Sequence, residues 1–120
     1  MKQLLFIFLI FGQLCQAQIT GTVVEVHDGD SFTLVVRGDD TLKIRLAAID
    51  CPELAQPYGV EARDRVRELM LNKKVRVDSV DADRYGRVVG WVKLPWCRKL
   101  NKKLVAEGLA WQYTAFDQSP

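Results

Sequence analysis

The 120-residue chain has room for one modest domain and not for two, and its 48% hydrophobic and 27% charged residues, free of repeats and low-complexity runs, are those of a globular protein. A net charge of +2 excludes a surface coated in positive charge, so recognition of a polyanion would need cations placed locally. With His27 as the single histidine, the chain offers no convincing zinc set and no Cys–His pair for thiol catalysis.

The first 17 residues read as a secretory signal peptide: Lys2 precedes an apolar run from Leu4 to Phe11, and Cys15-Gln16-Ala17 ends it on a small residue. The run is too short to span a bilayer comfortably, which favours cleavage near Ala17 over an uncleaved anchor. Leu14 stands where a lipoprotein site at Cys15 would need a small residue. The expectation is a leader at 1–17, one domain at 18–120, a secreted or periplasmic location and no membrane contact after cleavage. Cys51 and Cys97 then remain, and export permits a disulfide between them that would contribute about 4 kcal/mol if their geometry allowed it.

Residues 19–26 alternate and are β-branched, Asp28-Gly29 marks a tight turn in which glycine supplies a positive φ, and Asp30 opens a second strand over 31–36. Arg37-Gly38-Asp39-Asp40 turns again into a third strand over 41–48, where Leu42, Ile44 and Leu46 face inward and Lys43 and Arg45 outward. That strand runs into Asp50-Cys51-Pro52-Glu53, a corner stiffened by Pro52. Pro57 sits where a helix would begin, and Tyr58, Ala62, Val66, Leu69 and Met70 recur at helical spacing over 57–71. Strands over 74–80 and 87–94 follow, separated by a polar loop at 81–86, and the nearby cluster Asp78, Asp81 and Asp83 lacks the final glutamate of a calcium loop. A second helix over 98–107 stops at Gly108. The order gives a mainly β fold with helices, a five-stranded OB-type barrel with one helix between strands 3 and 4 and another after strand 5.

Asp30, Asp50 and Glu53 lie at strand ends, and Arg45 and Arg87 occupy or open strands on the polar side. If the strands close into a barrel, these charges can converge on one rim, where gathered carboxylates call for a cation. Oxygen donors favour a hard ion such as Ca²⁺, with the Cys51 backbone carbonyl as a further ligand. Phosphodiester hydrolysis needs positive charge on the phosphoryl oxygens, a positioned water and a base, all of which such a set could supply. Each residue also has a plainer reading: Asp30 as the end of a hairpin, Arg45 as a solvated strand residue, Asp50 as a turn cap, Glu53 as an exposed acid and Arg87 as the partner of Asp83.

Together, Asp28-Gly29-Asp30, Ile44-Arg45-Leu46, Ile49-Asp50-Cys51-Pro52-Glu53, Gln56-Pro57-Tyr58-Gly59, Asp83-Arg84-Tyr85-Gly86-Arg87 and Leu104-Val105-Ala106-Glu107-Gly108-Leu109-Ala110 resemble the staphylococcal nuclease (thermonuclease) family, in order and across nearly the whole domain. The resemblance implies a calcium-dependent endonuclease that cuts DNA and RNA to leave 3′-phosphates. Asp30, Asp50 and the Cys51 carbonyl would hold the metal, Glu53 would orient or deprotonate the attacking water, Arg45 and Arg87 would hold the phosphate, and Tyr85 and Arg84 would bind substrate. The alternative is a catalytically inactive module of the same fold that binds nucleic acid or protein; a third reading is an oligosaccharide-binding barrel. Two departures stand out: Cys51 replaces an expected Thr, and the final helix of relatives is absent before Pro120, which would expose the aromatics from Trp111 to Phe116. A monomer is expected, with those aromatics as a route to an oligomer.

Overall fold

A computed structural model describes residues 17–96 and 99–112. Residues 1–16 of the expected leader, Cys97 as the expected partner of Cys51, Arg98 and the aromatic tail beyond Gln112 lie outside the described residues. Strands β1 (Gln18–Asp28), β2 (Ser31–Arg37) and β3 (Asp40–Leu46) form an antiparallel meander. After a short strand β4 (Ile49–Asp50) come helix α1 (Gly59–Met70), strands β5 (Lys74–Ala82) and β6 (Val88–Lys93), helix α2 (Leu100–Ala106) and strand β7 (Trp111–Gln112).

The five long strands close in the order β1-β2-β3-β6-β5, with β3 and β6 parallel and the other pairs antiparallel. This is the OB-type barrel the strand order implies, with α1 between its third and fourth strands. Alternation decides its inside: Val23, Val26, Phe32, Leu34, Ile44, Leu46, Val77 and Val92 are buried together. The amphipathic stripe Ala62, Val66, Leu69 and Met70 of α1 joins that core, and Leu100 and Leu104 of α2 complete it.

Several local expectations change. Helix α1 starts at Gly59, two residues after Pro57, because the 53–58 loop folds back on its first turn: a Cβ at Gly59 would lie 1.9 Å from the Glu53 carbonyl oxygen. Tyr58 precedes the helix in the left-handed conformation with φ 68°. Strand β5 takes in Asp81 and Ala82, which the sequence places in a loop, because β6 pairs with it as far as Ala82. The β4–β7 ladder, which sets Asp50 opposite Trp111, has no signal in two-residue strands.

The first hairpin has its turn where expected but for another reason. Gly29 does not take a positive φ. A Cβ there would come within 2.8 Å of Cys51 Cβ and Sγ and 3.0 Å of Ala62 Cβ, so glycine is required by the close approach of the hairpin to the acidic corner.

Candidate active site

Arg45 is the hub of the barrel rim. Its neighbours Ile44 and Leu46 are buried in the core, which turns its own side chain outward. The chain then reverses through Ala48, held at φ 63°, a left-handed value that disfavours most side chains. Arg45 Nη1 spans this turn, donating to the carbonyl oxygens of Leu46 and Ile49, both at 2.9 Å. Its Nη2 donates to Asp50 Oδ1, and Nη1 lies 3.4 Å from Asp30 Oδ2. Two of the three carboxylates expected at the rim, Asp30 and Asp50, therefore lean on one guanidinium.

Asp30 is buried, and its Oδ2 accepts the Cys51 N–H at 2.8 Å. Burial, and a hydrogen bond with the Asp28 carboxylate, push its carboxyl up to about 7 despite the pull of Cys51 N–H and Arg45. Asp28 moves the other way: hydrogen bonds from Asp30 and Ser31 hold it below the usual carboxylate range against its own burial. Its Oδ1 accepts from Ser31 Oγ at 2.7 Å and from the Asp30 N–H at 3.3 Å. Two neighbouring carboxyl groups, both partly withdrawn from water, make an arrangement short of positive charge. Asp28 as part of the site is missing from the sequence reading, where the adjacent glycine makes it look like a turn residue.

Cys51 is buried with a free thiol, and burial followed by the charges of Asp30 and Asp28 pushes that thiol up to about 12. It is therefore a packing sulfur and not a nucleophile. Among the described residues no three His, Cys, Asp or Glu side chains converge as metal ligands. An ion at this rim would take Asp30 and Asp50 and complete its shell with backbone oxygens and water, which suits a hard cation such as Ca²⁺ and not zinc. The buried Asp30 carboxyl beside Asp28 fits such an ion, since a cation there offsets charge held at low dielectric.

Glu53 is exposed, and its carboxylate has no hydrogen-bond or ion-pair partner among the described residues. Its backbone is fixed instead: Glu53 N–H donates to Gln56 Oε1 at 2.7 Å and its carbonyl oxygen accepts the Gln56 N–H at 2.8 Å. Arg87, Tyr85 and Arg84 form a second group around Asp83. Asp83 Oδ1 accepts the N–H groups of Tyr85 and Arg87, each at 2.9 Å, and its Oδ2 accepts Arg87 Nε at 2.7 Å. The polar loop expected here is thus organised by one carboxylate, with Gly86 at φ 80° allowing the turn. Tyr85 is 72% exposed, with the guanidinium groups of Arg84 and Arg87 each 5.6 Å from its ring centre. Parallel pairing of Ile44 with Val88 sets this loop beside the Arg45 strand, while no hydrogen bond or ion pair joins Arg87 to Arg45, Asp50 or Glu53 among the described residues.

One further residue is missing from the sequence reading. Asn101 of α2 is fully buried, donates through Nδ2 to the carbonyl oxygens of Ala47 at 2.9 Å and Gly90 at 3.3 Å, and accepts the Val92 N–H at 3.1 Å. It ties the turn after Arg45 to β6. A polar residue directly after Leu100 on an apolar helix face was the available signal.

The chain matches the family model described as staphylococcal nuclease homologue over residues 43–120. It is 32% identical over its whole length to an uncharacterized endonuclease of Haemophilus influenzae, covering 67% of that protein. It is 36% identical over 89% of its length to a micrococcal nuclease of Shigella flexneri, covering 66% of it, and 39% identical over 97% to an uncharacterized endonuclease of Escherichia coli, covering 75%. The chain belongs to the staphylococcal nuclease family. It spans two-thirds to three-quarters of the length of these relatives. The family match takes in Arg45, Asp50, Cys51, Glu53, the 83–87 loop and Asn101. The Asp28–Asp30 hairpin precedes it but falls inside the full-length match to the Haemophilus relative.

Proposed function

We propose that this protein is a nuclease that hydrolyses phosphodiester bonds of DNA and RNA with Ca²⁺ as cofactor, leaves 3′-phosphate ends and acts after export, outside the cytoplasm. The observation that carries the reading is the bridging of Asp30 and Asp50 by Arg45, with the exposed Glu53 three residues beyond Asp50. Family membership and relatives named as nucleases support the same chemistry.

Asp30, Asp50 and the Cys51 carbonyl would hold the metal, which when bound supplies charge to polarise the phosphoryl group and a water. Arg45 already gives its guanidinium to Asp30, Asp50 and two carbonyls, so its contact to phosphate requires Asp50 to turn toward another cation. Arg87 is better placed to act at once: Asp83 holds its Nε and backbone N–H, and among the described residues the terminal nitrogens have no hydrogen-bond partner and can meet a phosphate. Glu53, exposed to solvent, accepts the proton of the attacking water. As oxygen attacks phosphorus the bond to the 5′-oxygen breaks, and a proton from solvent completes the 5′-hydroxyl. Tyr85 and Arg84 lie against the nucleotide beside Arg87.

The test is cleavage of single-stranded DNA by the protein with Ca²⁺ or with chelator, beside Glu53→Gln and Arg87→Ala variants checked for folding by circular dichroism. Each variant is expected to lose on the order of 100-fold or more in kcat/KM, and chelator to abolish cleavage. Folded, calcium-supplied protein that binds DNA without cutting it would replace this reading with a binding module.

A further inference from the structure

The outer face of β5 and β6 carries charge that the candidate active site does not use. Val75 and Val77 point into the core, so Lys74, Arg76 and Asp78 point outward from β5. Val92 of β6 likewise points inward, which leaves Trp91 and Lys93 outward, paired in the ladder with Asp78 and Arg76. The neighbouring strand β1 adds no acid, since Gln18, Thr20 and Thr22 oppose Asp78, Arg76 and Lys74. Lys99, just before α2, holds its Nζ 5.4 Å from the centre of the Trp91 ring.

Asp78 does not neutralise this group. Its Oδ2 lies 3.0 Å from Lys93 Nζ, but its Oδ1 is 3.6 Å from Arg76 Nε, and Oδ1 and Nε are both buried without a hydrogen bond among the described residues. Lys74, Arg76, Lys93 and Lys99 against one carboxylate leave the face at +3, more than the +2 of the whole chain. Positive charge is thus concentrated on one side of the barrel. We propose that this face is a second binding site for nucleic acid, which holds the phosphate backbone of the substrate several nucleotides away from the bond being cut. The proposal rests on the nuclease reading above and extends it.

The outward row of β6 links the face to the candidate active site. Arg45 pairs with Val89 in the parallel β3–β6 ladder, and Trp91 and Lys93 follow Val89 on the same side. Val89 to Lys93 is roughly 13 Å of strand, about the rise of four nucleotides along one strand of B-DNA. Asp81 stands beside Val89 on the way, with its Oδ1 turned back onto the Ala82 N–H. Cations on an open sheet face attract a polyanion through its phosphates and read no sequence. An anionic lipid surface would meet the same charges, but alignment with the Arg45 row favours a strand that runs on from that site.

The test measures binding and cleavage separately. Binding uses the full chain carrying Glu53→Gln, with a fluorescent DNA single strand of about 30 nucleotides, in chelator and over a range of NaCl concentrations. Neutralising the face with Arg76→Gln, Lys93→Gln and Lys99→Gln is expected to weaken binding on the order of 10-fold and to flatten the slope of log Kd against log salt by about two. Arg76→Lys, Lys93→Arg and Lys99→Arg together keep the charge and should keep the slope. Lys99→Gln alone, which leaves both Asp78 pairs intact, should lower it by about 0.7. With Glu53 intact and Ca²⁺ present, the neutralised protein is expected to show KM raised about 10-fold for the long strand, but KM for a dinucleotide and kcat for both within about twofold of the wild type.

An unchanged slope in the folded neutral variants, or an equal rise in KM for the dinucleotide, overturns the proposal. Loss of binding to phosphatidylglycerol vesicles without loss of binding to DNA overturns it in favour of a lipid surface. Cleavage with an unchanged slope removes the face and keeps the nuclease. A flattened slope in a protein whose Glu53 form does not cleave keeps the face as a nucleic-acid site and removes the nuclease.

Discussion

The Cys51 N–H donates to Asp30 Oδ2 at 2.8 Å across 21 residues of chain, and this bond joins the first hairpin to the acidic corner. It exists because Gly29 lets the hairpin approach Cys51 more closely than any side chain would allow. Asp30 is thereby buried beside Asp50 and Arg45, and four predictions follow from how tightly that corner is built.

Gly29→Ala should destabilise the protein by about 1–3 kcal/mol, because its methyl group meets Cys51 and Ala62 inside a packed contact. Urea denaturation measures it. Adding Cys51→Ala, which removes the Sγ 2.8 Å from that methyl, should recover part of the loss. Additive costs in the double variant would place the strain elsewhere.

Arg45→Met should cost about 3 kcal/mol or more, since it leaves two carboxylates and two carbonyl oxygens without their shared donor. Arg45→Lys restores the charge but not the forked geometry, and is expected to recover less than half of the loss. A lysine variant as stable as the wild type would show that charge alone holds the corner.

Without divalent ions, stability should fall between about pH 4 and pH 7 through Asp30. Its folded value of about 7 lies above the ordinary 3.8, so the folded state binds more protons across that window and raising the pH penalises it. Asp28, held below its ordinary value, acts oppositely and only below about pH 4. Urea midpoints of the wild type and Asp30→Asn measured from pH 4 to 8 should differ in slope, and Ca²⁺ should stabilise the wild type more at pH 7 than at pH 4. Parallel slopes would mean that Asp30 ionises freely.

Asn101→Leu should destabilise by about 3 kcal/mol, because the Ala47 and Gly90 carbonyls lose a donor and the Val92 N–H loses its acceptor inside the core. In the variant that remains folded, hydrogen exchange at the Val92 amide should become much faster than at Val77, which pairs with it in β5–β6. Equal protection at both amides would mean that Asn101 does not hold the Val92 N–H.

The sequence alone determined the barrel, because alternation of Leu42, Ile44 and Leu46 and the helical spacing of Ala62, Val66 and Leu69 are local patterns with one way to bury their apolar sides. It also determined which charges to watch, since Asp30, Arg45, Asp50, Glu53 and Arg87 sit at strand ends in a recognisable order. Tertiary structure alone decided how they meet. Arg45 joins Asp30 to Asp50 because strands distant in sequence close into a barrel, and Arg87 is held instead by Asp83 in its own loop. Asn101 and the reason for Gly29 were hidden for the same cause: each depends on a contact across the fold, and proximity between distant residues leaves no period in the chain.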